Sequence, residues 1–284
     1  MNVEVLLQAA GIAPGSGRVA VMGILNATPD SFSDGGLFDI LDNAMRHAER
    51  MHAEGANIID VGGESTRPGA QPVSESEELD RVIPIIERVT RELAVPVSID
   101  TSKAVVMTEA VKAGASLIND VCALQLDGAL QAAAKANIPV CLMHMQGEPR
   151  TMQSDPQYEN VVQDVKQFLS ERMADCENAG IARDRIVIDP GFGFGKTVGH
   201  NLDLLRRLGV FAELNVPVLA GLSRKSFIGK LLDLPVENRV HASVALALIA
   251  VQNGAQLVRV HDVAETVQAI RMWEAVQHDE PVVL

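Results

Sequence analysis

An α/β chain of eight strand–helix units closed into one parallel barrel is the fold class the sequence predicts. Three observations predict it. Short β-branched runs alternate with amphipathic helical stretches eight times within 284 residues. The runs are near-continuously apolar, as strands covered on both faces are. Nearly every run ends in an out-of-place polar residue, and a common polar rim is where barrel enzymes assemble their sites. A (β/α)8, or TIM, barrel therefore fits this length better than an open doubly wound sheet. No low-complexity tract, heptad seam or Pro/Ser-rich linker marks a boundary. One domain over residues 1–284 is expected, with its barrel core at about 19–276.

Taken in order, VAVMGIL (19–25) is followed by Asn26, and NIIDVG (57–62) carries Asp60 and runs on to Glu64. PVSID (96–100) ends in Asp100, SLINDV (116–121) holds Asn119 and Asp120, and PVCLMHM (139–145) holds His144. RIVIDPG (185–191) holds Asp189, PVLAGLS (217–223) ends in Ser223 with Lys225 just beyond, and QLVRVHD (256–262) holds Arg259 and His261. Helical stretches such as SESEELDRVIPIIERV, VVQDVKQFLSERMADCEN and VHASVALALIAVQNG lie between them. One strand-end carboxylate more often caps a helix than serves a site. That loop-bracing role is expected for Asp120. Repetition over seven or eight strands argues that the others converge. Two long segments, 27–39 and 62–74, exceed a tight βα turn and read as lids or binding loops.

Composition narrows the function. Net charge is −13, from 24 basic and 37 acidic residues, which argues against a nucleic-acid partner. No run of eighteen apolar residues and no basic leader segment is present, so no membrane role and a cytoplasmic location are expected. Cys122, Cys141 and Cys176 lie far apart and are odd in number, which fits reduced, core-packing thiols. Basic residues nevertheless gather in short loops, Ser65–Arg67, Ser223–Ser226 and Arg259–His261. An anionic small molecule explains that contrast.

The stretch IVIDPGFGFGKTVGHN (186–201) has a nucleotide-binding look, but Pro190 stands where a P-loop requires glycine, and Lys196 stands where a dinucleotide fingerprint requires one. Its glycines are expected to turn the chain out of strand six and pass close to a flat ring, with Lys196 a loop-bracing or surface charge. Asp100, Asn119 and Asp189, as acceptors at three strand ends, suit a flat heterocycle rich in N–H donors, such as the amino-pyrimidinone edge of a pterin or guanine. A divalent metal is the other reading of clustered carboxylates, weakened because Lys225 and Arg259 share the mouth and one of them can pair with Asp189. The loops after strands seven and eight are where barrels often take phosphate. Arg67, Arg259 and His261 suit its oxygens, and Asn26 offers a neutral oxygen to a Mg²⁺ ion carried on substrate phosphates.

Eight segments together, GILNATPDSFSDGG, IIDVGGESTRPGA, SIDTSK, LIND, CLMHMQGEPRTMQ, DPGFGFGKT, GLSRKSFIG and RVHD, resemble bacterial dihydropteroate synthases, in order and over essentially the whole chain. That family joins a pterin to p-aminobenzoate in folate synthesis on a (β/α)8 barrel. The resemblance implies a pterin held by Asp100, Asn119, Asp189 and Lys225, with Met143 and Phe194 lining the pocket and Arg259 against the ring. It implies pyrophosphate held by Asn26, Arg67, Arg259 and His261 with Mg²⁺, Asn26 being the metal-side residue. It also implies p-aminobenzoate, or a sulfonamide inhibitor, among Phe32, Thr66, Arg67, Pro68, Lys225 and Ser226. Catalysis would fall to Asp100, Asp189, Lys225, Arg259 and His261. A homodimer is implied, with VHASVALALIAVQ as the candidate contact. A pterin-binding methyltransferase domain would not need the SFSDGG and STRPG loops or RVHD, and a catalytically silent relative would have lost site residues that this chain keeps.

Overall fold

The computed structural model of the chain describes residues 1–27, 37–65, 70–147 and 151–277. Phe32, Thr66, Arg67 and Pro68 lie outside these described residues. Eight strands form one parallel sheet: β1 (Ala20–Asn26), β2 (Ile58–Gly62), β3 (Val97–Asp100), β4 (Leu117–Asp120), β5 (Val140–Met143), β6 (Ile186–Asp189), β7 (Leu219–Ala220) and β8 (Leu257–Val260). Their order is β6-β5-β4-β3-β2-β1-β8-β7. A parallel bridge between Ile188 and Val218, with Ile188 N–H donating to Pro217 O at 3.0 Å, joins the two edge strands. The sheet is a nearly closed barrel, as the alternation predicts. Seven strands fall inside their expected runs, and β1 extends one residue past its run to Asn26, so that the polar residues Asn26, Asp60, Asp100, Asn119, Asp189 and Arg259 are themselves part of the ladder.

Helices cover the outside: α2 (Leu37–Ala53), α3 (Glu75–Glu92), α4 (Ala104–Lys112), α5 (Ala129–Ala136), α6 (Val161–Asn178), α7 (Val198–Arg206), α8 (Ser226–Leu232), α9 (Val240–Gln252) and α10 (Val263–Gln277). Local chemistry sets their starts. Ser74 caps α3 by accepting from Glu77 N–H at 3.2 Å, Asn160 caps α6, and Thr197 with His200 forms a reciprocal capping box on α7. Helix α3 turns Val82, Ile85, Ile86 and Val89 onto the barrel, the three- and four-residue spacing of one helical face. Among the described residues no helix is long and apolar enough to cross a membrane.

The barrel interior follows from the two-residue period of a strand. One layer, Ala20, Met22, Ile58, Leu117, Cys141, Val187, Leu219 and Leu257, forms an apolar cluster of its own. An N-terminal helix that the strand pattern does not anticipate, α1 (Val3–Ala9), plugs this layer from below with Val3 and Leu6, and Ala10 and Ile12 complete the seal. Leu6 is fully buried. Two residues further along the strands the inward positions change character, to Asp60, Asp100, Asn119, Met143, Asp189, Gly221 and Arg259. The apolar floor is therefore also the base on which the polar mouth stands. Cys141 belongs to the floor and Cys176 lies on the buried face of α6, as expected of core thiols, whereas Cys122 is only half-buried; all three are free.

Candidate active site

Side chains from six strands, β2 to β6 and β8, meet above the floor. Asp60 on β2 is fully buried; its Oδ2 accepts from Arg259 Nε at 2.6 Å and from Asn119 Nδ2 at 3.2 Å. Arg259 on β8 reaches the other way with Nη2, donating to Asp100 Oδ2 at 2.7 Å. Four residues spread over 200 positions of sequence thus form one network across the mouth. Asp60 Oδ1 accepts no hydrogen bond among the described residues. Arg259 pairs with Asp60 and Asp100, not with Asp189. Asp60 and Arg259 also lie within their strands instead of beyond them, so both are read as barrel-interior residues and not as strand-end caps.

Electrostatics follow from this burial. Loss of solvent pushes the Asp100 carboxyl up to about 7, against the pull of Arg259 and with repulsion from Asp60. Asp189, also buried, is shifted upward by desolvation, while its Oδ1 accepts from Gly191 N–H at 2.7 Å and Lys225, Lys196 and Arg259 favour its charged form. Lys225 stands just before α8 with Nζ 4.0 Å from the Phe194 ring centroid, and desolvation lowers it to about 8 while Asp189 opposes the fall. Met143 and Phe194 pack with Met152 in a small apolar cluster at the mouth, flanked by Val121 and Met145. The site thus offers acceptors on one side, a cation beside them and an apolar wall.

The structure places the remaining site residues as follows. His261 accepts or shares a hydrogen with Ser223 Oγ at 3.0 Å through Nδ1, and burial followed by Arg259, Arg224 and Lys225 drives it down to about 3, so it is neutral at pH 7. Asn26 is half-buried at the end of β1, opposite Gly62. Ser226 is exposed at the start of α8. Arg224, with positive φ, is held by Asp262, its Nε donating to Oδ2 at 3.0 Å.

Several rim residues do other work. Asp120 points away from the mouth and braces its loop, accepting from Cys122 N–H at 2.8 Å, Leu124 N–H at 2.7 Å and Ser102 Oγ. Glu64 is paired with Lys103, which also holds buried Glu78. His144 is no mouth residue: it packs edge-on against Phe168 of α6, with centroids 4.9 Å apart. Lys196 is not a surface charge but is 3% exposed, with Nζ 2.9 Å from His144 Nδ1. The glycines around it let protein backbones approach closely. Gly191 and Gly195 both have positive φ, and a Cβ on either would collide with the carbonyl oxygen of His144 or of Gln146.

Comparison with known proteins decides what this mouth belongs to. The profile of the family described as pterin binding enzyme matches residues 22–261, which takes in Asn26, Asp60, Asp100, Asn119, Asp189, Lys225, Arg259 and His261. A dihydropteroate synthase of Haemophilus influenzae is 57% identical over 255 residues, 90% of this chain and 93% of the relative. The chain belongs to the dihydropteroate synthase family of pterin binding enzymes. Among solved members, the Yersinia pestis dihydropteroate synthase in complex with a sulfonamide drug superposes with a TM-score of 0.89 at 53% identity, covering 94% of this chain and 97% of that one. The Xanthomonas albilineans dihydropteroate synthase in complex with 7,8-dihydropteroate superposes at 0.85 with 50% identity, covering 93% of this chain and 95% of that one.

Asp60 is the member of the constellation that residue type alone undervalues. A signal for it exists in the sequence: counted two positions on from floor residue Ile58, it falls on the same inward row as Asn119 and Arg259.

Proposed function

We propose that this chain is a dihydropteroate synthase, condensing 6-hydroxymethyl-7,8-dihydropterin pyrophosphate with p-aminobenzoate to 7,8-dihydropteroate and pyrophosphate. The observation that carries the reading is the Asp60–Arg259–Asp100 network with Asn119 beside it, opposite Asp189 and an apolar wall of Met143 and Phe194. Asp100, Asn119 and Asp189 present acceptors to the N–H edge of a pterin, and a ring lacking those donors would leave buried oxygens unpaired. Arg259 lies against the ring, and Lys225, ionised on Phe194, donates to it.

Substitution takes place at the exocyclic methylene. The C–O bond to pyrophosphate breaks with its electron pair leaving on pyrophosphate, and the arylamine nitrogen of p-aminobenzoate forms the new C–N bond and then loses a proton to solvent. Asp100 and Asp189 stabilise positive charge growing on the pterin, while Arg259, Arg67 and His261 receive the departing anion. His261, neutral in the free protein, meets that anion as a hydrogen-bond donor and gains affinity for a proton once phosphate charge arrives. Closure of the 27–39 and 62–74 segments would bring Phe32, Thr66, Arg67 and Pro68 to Lys225 and Ser226, around p-aminobenzoate or a sulfonamide, and would exclude water that competes for the cation-like centre.

The donor set fits Mg²⁺ carried on the substrate. Among the described residues no group of three or more His, Cys, Asp or Glu could cage a metal, and Asn26 supplies one half-buried neutral oxygen. Such a site suits an ion coordinated chiefly by phosphate oxygens and water. When bound, the ion neutralises charge on pyrophosphate. We further place the protein in the cytoplasm as a homodimer. Helix α9 supports the second point: it is almost wholly apolar, yet only Ser243, Ala247, Ala250 and Val251 are buried and Ile249 remains 40% exposed.

The test is direct. Purified protein is incubated with dihydropterin pyrophosphate, p-aminobenzoate and Mg²⁺, and dihydropteroate and pyrophosphate are measured; a folded chain that releases neither is a silent relative.

A further inference from the structure

The buried lysine in DPGFGFGKT has no part in the chemistry above, yet it is one of the most constrained side chains in the molecule. Lys196 Nζ lies 2.9 Å from His144 Nδ1 and 2.9 Å from Phe194 O, and it also reaches His144 O at 3.4 Å. In the protonated amine all three hydrogens therefore have protein acceptors, and His144 must then carry its own hydrogen on Nε2 for Nδ1 to accept. The partners are not arbitrary. Phe194 forms the apolar wall under Lys225, and His144 directly follows Met143, the other wall residue.

The loop is built to be fastened here. His144 N–H donates to Asp189 O at 3.0 Å, and Gly191 N–H donates to Asp189 Oδ1 at 2.7 Å. A Cβ built on Gly191 would stand 3.4 Å from Lys196 Nζ, so the amine lies close behind the residue that orients Asp189. Tyr158 OH donates to Gly195 O at 2.7 Å and Asn201 accepts from Gly193 N–H at 2.7 Å, closing the loop's other backbone groups.

We propose that Lys196 is a positioning residue of the pterin pocket: it fastens the loop carrying Asp189 and Phe194 to the end of β5, and when protonated it adds a cation behind the Asp189 carboxylate that accepts from the pterin. This inference rests on the pterin reading of the site and adds to it a residue that no ligand contact would reveal. The electrostatics agree with the geometry. Burial, with Lys225 adding repulsion, lowers Lys196 to about 7, and Asp189 opposes the fall. Burial, then Lys196, lowers His144 to about 2, so it stays a neutral acceptor throughout the working range. The other groups facing this cluster among the described residues include Lys225 and Arg259, both favouring an ionised Asp189, buried Cys141, His200, itself lowered, and Tyr158, raised by burial and so neutral.

The test compares the parent chain with Lys196→Met, of similar length and uncharged, and with His144→Ala, which removes one anchor and leaves the cation. Binding of 6-hydroxymethylpterin, without pyrophosphate, is measured by calorimetry from pH 5.5 to 8, together with KM for both substrates. Lys196→Met should weaken pterin binding roughly tenfold or more, the loss of a buried charged hydrogen bond, and leave the KM for p-aminobenzoate within about twofold. Ionised Asp189 binds and protonated Asp189 does not, so its protonation adds its own acid limb to the fall that Asp100, raised to about 7, gives every variant compared. Losing the nearby cation raises the pKa of Asp189 and moves its limb to higher pH. His144→Ala should weaken pterin binding without moving that limb. A folded Lys196→Met with parental affinity and an unmoved acid limb overturns the proposal, as does an equal rise in both KM values. Should Lys196→Met not fold, His144→Ala with unchanged pterin affinity overturns it by the same measure. A parent chain that binds no pterin fails at a different step, and overturns the reading of the site itself.

Discussion

Arg259 is held at both ends of its guanidinium by carboxylates from different strands, Asp60 through Nε at 2.6 Å and Asp100 through Nη2 at 2.7 Å. Asp60 also takes Asn119, so its position fixes two pocket residues at once. Asp60→Asn keeps the shape and removes the charge. We expect it to weaken binding of a bare pterin by about 1 to 3 kcal/mol, the cost of imperfectly paired buried groups. Calorimetry at pH 8 reads this, and parental affinity would remove Asp60 from the pocket's support. Asp60→Ala, which leaves a buried cation with one carboxylate, should also cost stability, about 3 to 5 kcal/mol in a denaturant titration.

Asp100 gives pterin binding a pH dependence. Its carboxyl is raised to about 7 by burial, and the ionised form is the acceptor. Affinity should therefore rise with pH from 6 to 8 and be lost as pH falls through the raised pKa. In Asp100→Asn the same titration should be weaker at every pH and lack the step near 7. A parental profile in that variant would assign the titration elsewhere.

His261 and the pterin acceptors should separate by ligand. His261 stands with Ser223 near the loops expected to take phosphate, and among the described residues it makes no hydrogen bond to the pterin-facing acceptors. His261→Ala should raise the Kd of dihydropterin pyrophosphate roughly tenfold, one lost hydrogen bond to a charged group, and leave 6-hydroxymethylpterin unchanged. Equal losses for both would contradict an anion role.

The floor of the barrel should behave as scaffold. Leu6 of α1 is fully buried against the lower interior layer. Leu6→Ala should lower unfolding free energy by about 2 to 5 kcal/mol, read in a denaturant titration. Pterin affinity below the unfolding transition should stay within about twofold of the parent, because the apolar layer separates α1 from the acceptors.

How much of this was legible depended on the range of the physics. The eight strands were, because an apolar run bounded by polar residues is a local pattern, and each strand matches its run to within a few residues. The helical cover is equally local. The plug formed by α1 was not, since its few turns carry no strand signal and its value lies in closing a hole that exists only once the barrel does.

The site divides the same way. Asp100, Asn119, Asp189, Lys225, Arg259 and His261 are visible in the chain because polar residues at the ends of buried strands are costly without a purpose. Their partners are decided by the closed barrel, which brings residue 60 against residue 259 and turns neighbouring positions to opposite faces. That parity sends Met143 inward and His144 outward, and leaves Asn119 in the pocket while Asp120 braces a loop. Lys196 is the sharpest case. Sequence determined a lysine after three glycines; only the tertiary structure made it a buried cation, because those glycines let two backbones close over it and leave it no water to face.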